Sequence, residues 1–173
     1  GGMRVGLFGV GAPGEPREWV DYGGFDGLVA AARAQEAELR AAGAELVVAL
    51  TQQDLADDVR LATLVPGIDR IVGGHEHVAL ERRVGETWIT KADADAVSVV
   101  RIDVDRGPDG VESRHRFVPL DESVPPDPEV QGLIGRWLVR LEEAVRKASG
   151  RGLLDVVATT EHALEGVEPA IRG

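Results

Sequence analysis

The sequence predicts an α/β fold built on a largely parallel sheet, and three observations carry that prediction. From Arg4 to Val72 apolar runs alternate with amphipathic segments in the order strand, helix, strand, helix, strand. This is the order in which crossover helices join parallel strands. Glycine and proline mark the boundaries, at Gly43 and at Pro66-Gly67. Beyond them, Val97 to Val118 alternates apolar and polar residues around the turn signal Asp109-Gly110. That pattern makes a C-terminal antiparallel hairpin with one wet face, so the sheet structure as a whole is mixed.

Each element follows from its residues. Arg4 to Val10 is a short apolar strand with a glycine-rich exit at Gly6, Gly9, Gly11 and Gly14. The glycine spacing is not the dinucleotide fingerprint, and Pro13 and Pro16 block an immediate helix. Phe25 to Ala42 is a helix with Phe25, Leu28, Val29, Ala32 and Leu39 on one face and Gly43 as its stop. Glu45 to Leu50 is a strand ending at Thr51-Gln52-Gln53. Asp54 caps the next helix, and Asp57 lies in its first turn, where the helix dipole favours a carboxylate. That helix runs to about Leu64, and Ile68 to Val72 is the third strand. Glu86 to Thr90 is another strand. His115, between Arg114 and Arg116 on the hairpin, reads as solvated. Pro125-Pro126-Asp127-Pro128 breaks the chain and starts a helix, with Asp127 as cap and Pro128 in the first helical position. Val130, Ile134, Trp137, Leu138, Leu141 and Val145 stripe that helix, and Gly150 ends it. Leu153 to Thr159 reads as a strand before a polar tail in which His162 is a surface residue.

Composition narrows the classes of function. The 173 residues are one domain or a sizeable piece of one, and 43% of them are hydrophobic, enough for a core. A net charge of −11 opposes binding to nucleic acid or to an anionic membrane surface. There is no cysteine, which excludes disulfides and thiolate metal sites. No apolar run approaches the ~20 residues of a membrane span. A soluble, cytoplasmic chain is expected, with the cell envelope left open.

The chemistry gathers at Gly73-Gly74-His75-Glu76-His77, directly after a strand. Two glycines let the chain turn, and a loop there can bring both imidazoles to one point. Imidazole is the commonest ligand for divalent transition metals. The other reading is a polar loop whose histidines hydrogen-bond to backbone, since a metal site needs three or more ligands. In parallel sheets ligands collect at the carboxyl ends of strands. If the second and third strands are neighbours, Thr51-Gln52 and His75-Glu76-His77 share one rim.

Val48-Ala49-Leu50-Thr51-Gln52, the run from Val65-Pro66-Gly67-Ile68-Asp69 through Gly73-Gly74-His75-Glu76-His77, and Thr90-Lys91-Ala92 together resemble the calcineurin-like metallophosphoesterases. The nearest branch is the 5′-nucleotidase and cyclic-phosphodiesterase group, and the resemblance covers roughly residues 3 to 120. It implies half of a four-layer α/β/β/α sandwich and a phosphoester hydrolase that uses a divalent metal pair, Mn or Zn. By the family pattern His75 and His77 ligate one metal each. Position 52 is where the family carries a further histidine, so Gln52 is a candidate but poor ligand, and one metal should bind more weakly.

The family's earlier motifs, Asp-x-His, Gly-Asp and Gly-Asn-His, are absent. The resemblance therefore implies that residues 1–124 are the C-terminal half of the catalytic domain, and residues 125–173 a linker helix and the start of a second domain. The substrate expected of the intact enzyme is a nucleotide or other phosphoester. The expected partner is the missing N-terminal half, or else a self-association surface on exposed edges. Alone, the chain is expected to be inactive. Two other readings compete. One is a non-catalytic module of the same fold, which Gln52 favours. The other is a mononuclear cupin-type site of His75, His77 and Glu81, which the strand–helix alternation opposes.

Overall fold

The computed structural model describes residues 2–11, 18–21, 23–108 and 110–161. Pro13, Gly14, Pro16, Asp109 and His162 lie outside the described residues. The chain forms two compact units, Gly1–Ser123 and Val124–Gly173.

The first unit is built on a five-stranded sheet. Its strands are β1 (Val5–Gly11), β2 (Leu46–Gln52), β3 (Arg70–Gly73), β4 (Leu80–Val84) and β5 (Thr87–Lys91). They lie in the order β1-β2-β3-β5-β4. The first four of that order run parallel, and β4 is antiparallel to β5. Helices α1 (Gly24–Ala41) and α2 (Leu55–Leu64) make the crossovers. Leu28, Val29 and Ala32 of α1 and Leu61 and Ala62 of α2 are buried against Phe8, Val47, Ala49, Ile71 and Ile89 of the sheet. Phe25 and Leu39 pack at the edge of this core, so the predicted face of α1 is the buried one. The expected elements shift by one or two residues. Leu80–Val84 is an added strand, in a stretch to which the sequence assigned no element. Its residues Glu81, Arg82 and Arg83 are exposed, which is how edge strands avoid further pairing.

Strands β6 (Ser98–Gly107) and β7 (Gly110–Pro119) form the expected antiparallel hairpin. The hairpin is joined to the face of the sheet away from the helices by a buried cation. Arg70 has no exposed surface; its Nε donates to Ser113 Oγ at 2.7 Å, and its Nη1 lies 3.3 Å from His115 Nδ1. Guanidinium only donates, so His115 Nδ1 accepts, and Nε2–H is left to donate to Glu81 Oε2 at 2.7 Å. His115 also stands edge-on to Trp88, with ring centroids 4.9 Å apart. The expectation of a solvated His115 is therefore corrected: its side chain is only 8% exposed. Flanking arginines gave the opposite impression because alternate residues of a strand face opposite ways. On that same face Val5, Leu7 and Leu50, toward the β1 edge, remain exposed.

In the second unit α3 spans Pro128–Ser149. Asp127 caps it as expected, accepting from the N–H of Glu129 and of Val130, and Gly150 ends it in the left-handed conformation. Its apolar stripe, Leu133, Ile134, Trp137, Leu138 and Leu141, is exposed. The strand expected at Leu153 to Thr159 does not form. Leu154, Val156 and Val157 stay exposed, and a strand without a neighbour leaves its backbone polar groups unpaired.

Candidate functional site

The parallel register sets the site. Gly11 pairs with Gln52, Thr51 with Gly73, and Gly73 with Lys91, so four strands end on one rim. The loop carrying His75, Glu76 and His77 leaves this rim from β3. The condition set by the sequence holds, since β2 and β3 are neighbours. Thr51 and Gln52 are the last residues of β2 rather than the start of a loop.

Both histidines are exposed and have positive φ, 90° at His75 and 59° at His77. The left-handed region is costly for side chains other than glycine, and such strain persists only where surroundings impose it. Several contacts impose it here. The Gly74 N–H donates to the Thr51 carbonyl at 3.0 Å. His75 Nε2 lies 2.8 Å from Asp54 Oδ1. The Ala79 N–H donates to Asp93 Oδ1 at 3.0 Å, and Asp93 also accepts from Ser98 Oγ at 2.6 Å. Glu76, between the histidines, turns inward and accepts from the Leu55 N–H and from Lys91 Nζ.

This changes the role expected of Asp54. It occupies the N-cap position of α2, but its side chain makes no capping bond and holds His75 instead. The orphan N–H of Leu55, the first helical residue, is satisfied from across the loop by Glu76.

Beneath the loop lies a buried charge cluster. Lys91 Nζ is 2.8 Å from Asp58 Oδ2, 2.6 Å from Glu76 Oε2 and 2.6 Å from the Gln53 carbonyl. Lys91 and Asp58 are at most 1% exposed. Gln53 Nε2 donates to Asp58 Oδ1 at 2.9 Å. Burial pushes the Asp58 carboxyl above its ordinary range, despite the Lys91 ammonium beside it and the hydrogen bond from Gln53. Burial also pulls Glu76 upward, but there the hydrogen bonds from Lys91 and the Leu55 N–H win and hold it below its ordinary range.

Gln52 is exposed, and its Oε1 lies over Gly74, where an added Cβ would sit 2.6 Å away. The structure thus sets Gln52 beside the residue before His75. Glu81, the third member of the cupin-type alternative, lies on β4 and is taken by His115. Among the described residues, no three or more His, Cys, Asp or Glu side chains gather in a group able to hold a metal ion. The donor chemistry nevertheless fits one side of a metal site. A carboxylate only accepts, so a neutral His75 puts its proton on Nε2 and leaves the Nδ1 lone pair free. Ligating histidines are commonly oriented by such a carboxylate.

Asp58 and Asp93 were not singled out by the sequence, and Glu76 and Lys91 entered only as members of quoted motifs, without a role of their own. The available signal was a lysine placed at the end of a strand otherwise committed to the core.

No protein-family model and no curated protein matches the chain. Solved structures do. It is similar to the Thermus thermophilus sulfate thiohydrolase SoxB in complex with glycerol, with a TM-score of 0.62 and 27% identity, over 79% of this chain and 27% of that one. It is also similar to a 5′-nucleotidase precursor from Thermus thermophilus, with a TM-score of 0.64 and 19% identity, over 85% of this chain and 34% of that one. The chain therefore spans 27% and 34% of the two solved chains. In fold it is similar to part of the calcineurin-like metallophosphoesterases, the family to which the sequence pattern pointed.

Proposed function

We propose that this rim is one side of a two-metal phosphoester-hydrolase site acting on nucleotides. In this reading His75 and His77 each supply an imidazole ligand, and Gln52 supplies a carboxamide oxygen where a histidine would bind more strongly. The observation that carries it is the shared rim: β2 and β3 in parallel register bring Gln52 beside the His75–His77 loop, whose first histidine is oriented by Asp54. A bound metal pair would supply positive charge to stabilise the oxygens of a displacement at phosphorus. Gln52, His75 and His77 are too few to hold that pair, so this reading needs further ligands from beyond the described residues. The exposed Val5, Leu7 and Leu50 support this, because a completed second sheet would cover that face. Residues 1–124 then act as the second half of a catalytic domain, and residues 125–173 as a linker helix leading to another. The chain alone binds metal weakly and turns over little or no substrate.

A non-catalytic module of the same fold is the second reading, and Gln52 at a ligand position favours it. The two are separated by joining the chain to an N-terminal metallophosphoesterase segment, with and without Gln52→His, and adding Mn²⁺. Hydrolysis of a nucleoside monophosphate or bis-p-nitrophenyl phosphate that needs the metal, and improves with Gln52→His, supports the enzyme. A sulfate thioester serves as the comparison substrate, because one similar structure is named a sulfate thiohydrolase. No metal-dependent turnover in the joined Gln52→His protein would refute the enzyme reading.

A further inference from the structure

We propose that Glu76, Lys91 and Asp58 are positioning residues: a buried charge cluster whose task is to fix the backbone that aims His75 and His77 outward from the rim. Its functional meaning rests on reading those histidines as ligands, but its geometry stands apart from that reading.

Glu76 lies between the two histidines with its side chain turned inward, while both imidazoles are exposed. Glu76 is held from two elements at once, by the Leu55 N–H at the start of α2 and by Lys91 at the end of β5. Lys91 is itself fixed, because its ammonium also meets Asp58 and the Gln53 carbonyl. Asp58 in turn accepts from Gln53. The chain of contacts therefore runs from the body of the sheet and α2 to the one loop residue between the histidines. Burying a lysine and a carboxylate in this way gains little stability over an apolar pair of the same shape. Its distinctive product is a loop held in one conformation, with left-handed backbone at both His75 and His77.

The cluster also accounts for Gly73. An added Cβ there would lie 2.8 Å from Lys91 Cε and 2.8 Å from Thr51 Oγ1. The glycine before the histidines leaves room for the lysine stem to pass across β3.

The test uses the whole 173-residue chain and reads the loop directly. Amide hydrogen exchange over residues 73–79 and the imidazole nitrogen signals of His75 and His77 are compared among wild type, Glu76→Gln, Lys91→Met and Lys91→Arg. Glu76→Gln keeps the shape and removes the charge. It is expected to speed exchange across the loop at least about tenfold and to shift both imidazole signals, while β2 and α1 stay protected. Lys91→Arg is expected to restore part of the protection that Lys91→Met loses. If Lys91→Met unfolds the chain, the pair Lys91→Met with Asp58→Asn removes the uncompensated charge and should fold with a loosened loop. Unchanged loop exchange and unchanged imidazole signals in Glu76→Gln would overturn the proposal. Mn²⁺ broadening of the same signals in the wild type reads the ligand assignment separately. Its absence with the exchange pattern intact would sink that assignment and leave the anchoring standing.

Discussion

Gly73→Ala should be among the most damaging single-methyl additions in the first unit, and its cost can be worked from the contacts. The new Cβ would sit 2.8 Å from both Lys91 Cε and Thr51 Oγ1, and 3.3 Å from Asp58 Oδ2. Neither close neighbour can swing away. The lysine ends on three acceptors, and the threonine is buried on the adjacent strand. Overpacking of this kind costs roughly 1–3 kcal/mol. Displacing Lys91 instead would leave buried charge unpaired, at roughly 3–5 kcal/mol. A loss of about 3 kcal/mol is expected, where the two ranges meet. Gly74→Ala is the matched control. Its Cβ would meet Gln52 Oε1 at 2.6 Å, but that atom is the free end of an exposed side chain and can rotate away. Its cost should stay near the roughly 0.5 kcal/mol of ordinary surface changes. Both substitutions replace a glycine at the same strand end, so the backbone-entropy gain of alanine is shared and largely cancels. Urea unfolding followed by tryptophan fluorescence measures the difference. With m of about 1–3 kcal/mol per molar, the difference of about 2.5 kcal/mol means that Gly73→Ala should lower the midpoint by roughly 0.8–2.5 M relative to Gly74→Ala. Equal midpoints would refute the account of the lysine passing over Gly73.

The remaining predictions concern acid stability and the junction of the two sheets. Glu76 is held below its ordinary range in the folded chain, so the unfolded chain binds its proton more readily. Its stabilising contribution is full above the ordinary glutamate value of about 4.3 and is lost as pH falls through the depressed one. Glu76→Gln should therefore flatten the acid limb of a stability–pH curve, and an unchanged limb would contradict the assignment. Arg70→Ala should cost about 3–5 kcal/mol by opening a cavity and leaving Ser113 and His115 without their donor. Arg70→Met, which fills the space without burying a cation, should cost less. Thermal unfolding orders the two, and equal losses would argue that the hairpin is not joined through this residue.

Much of the fold was legible because its signals are local. Leu28, Val29 and Ala32 declare a helix face by spacing alone, and Gly110 falls at the join of the observed hairpin. The rim was legible because strand order and the carboxyl-end rule suffice to place residue 52 and residues 75–77 together. What stayed hidden depends on tertiary partners. His115 looked solvated until Arg70 and Glu81 arrived from other strands, 45 and 34 residues away. Asp54 looked like an ordinary cap, but the loop from β3 redirected its side chain to His75. Leu80–Val84 gave no strand signal because its composition is that of a polar edge. Leu153 to Thr159 gave a strand signal that only a neighbouring strand could have realised.

The central claim is that the two exposed imidazoles at this rim act on one shared cation site. Titrating the chain with Mn²⁺ while following the imidazole signals of His75 and His77 tests it most directly. Both signals should broaden as Mn²⁺ is added, and Gln52→His should move the weaker response to lower metal concentration. Signals that ignore Mn²⁺, or a weaker response that Gln52→His leaves unmoved, would contradict it.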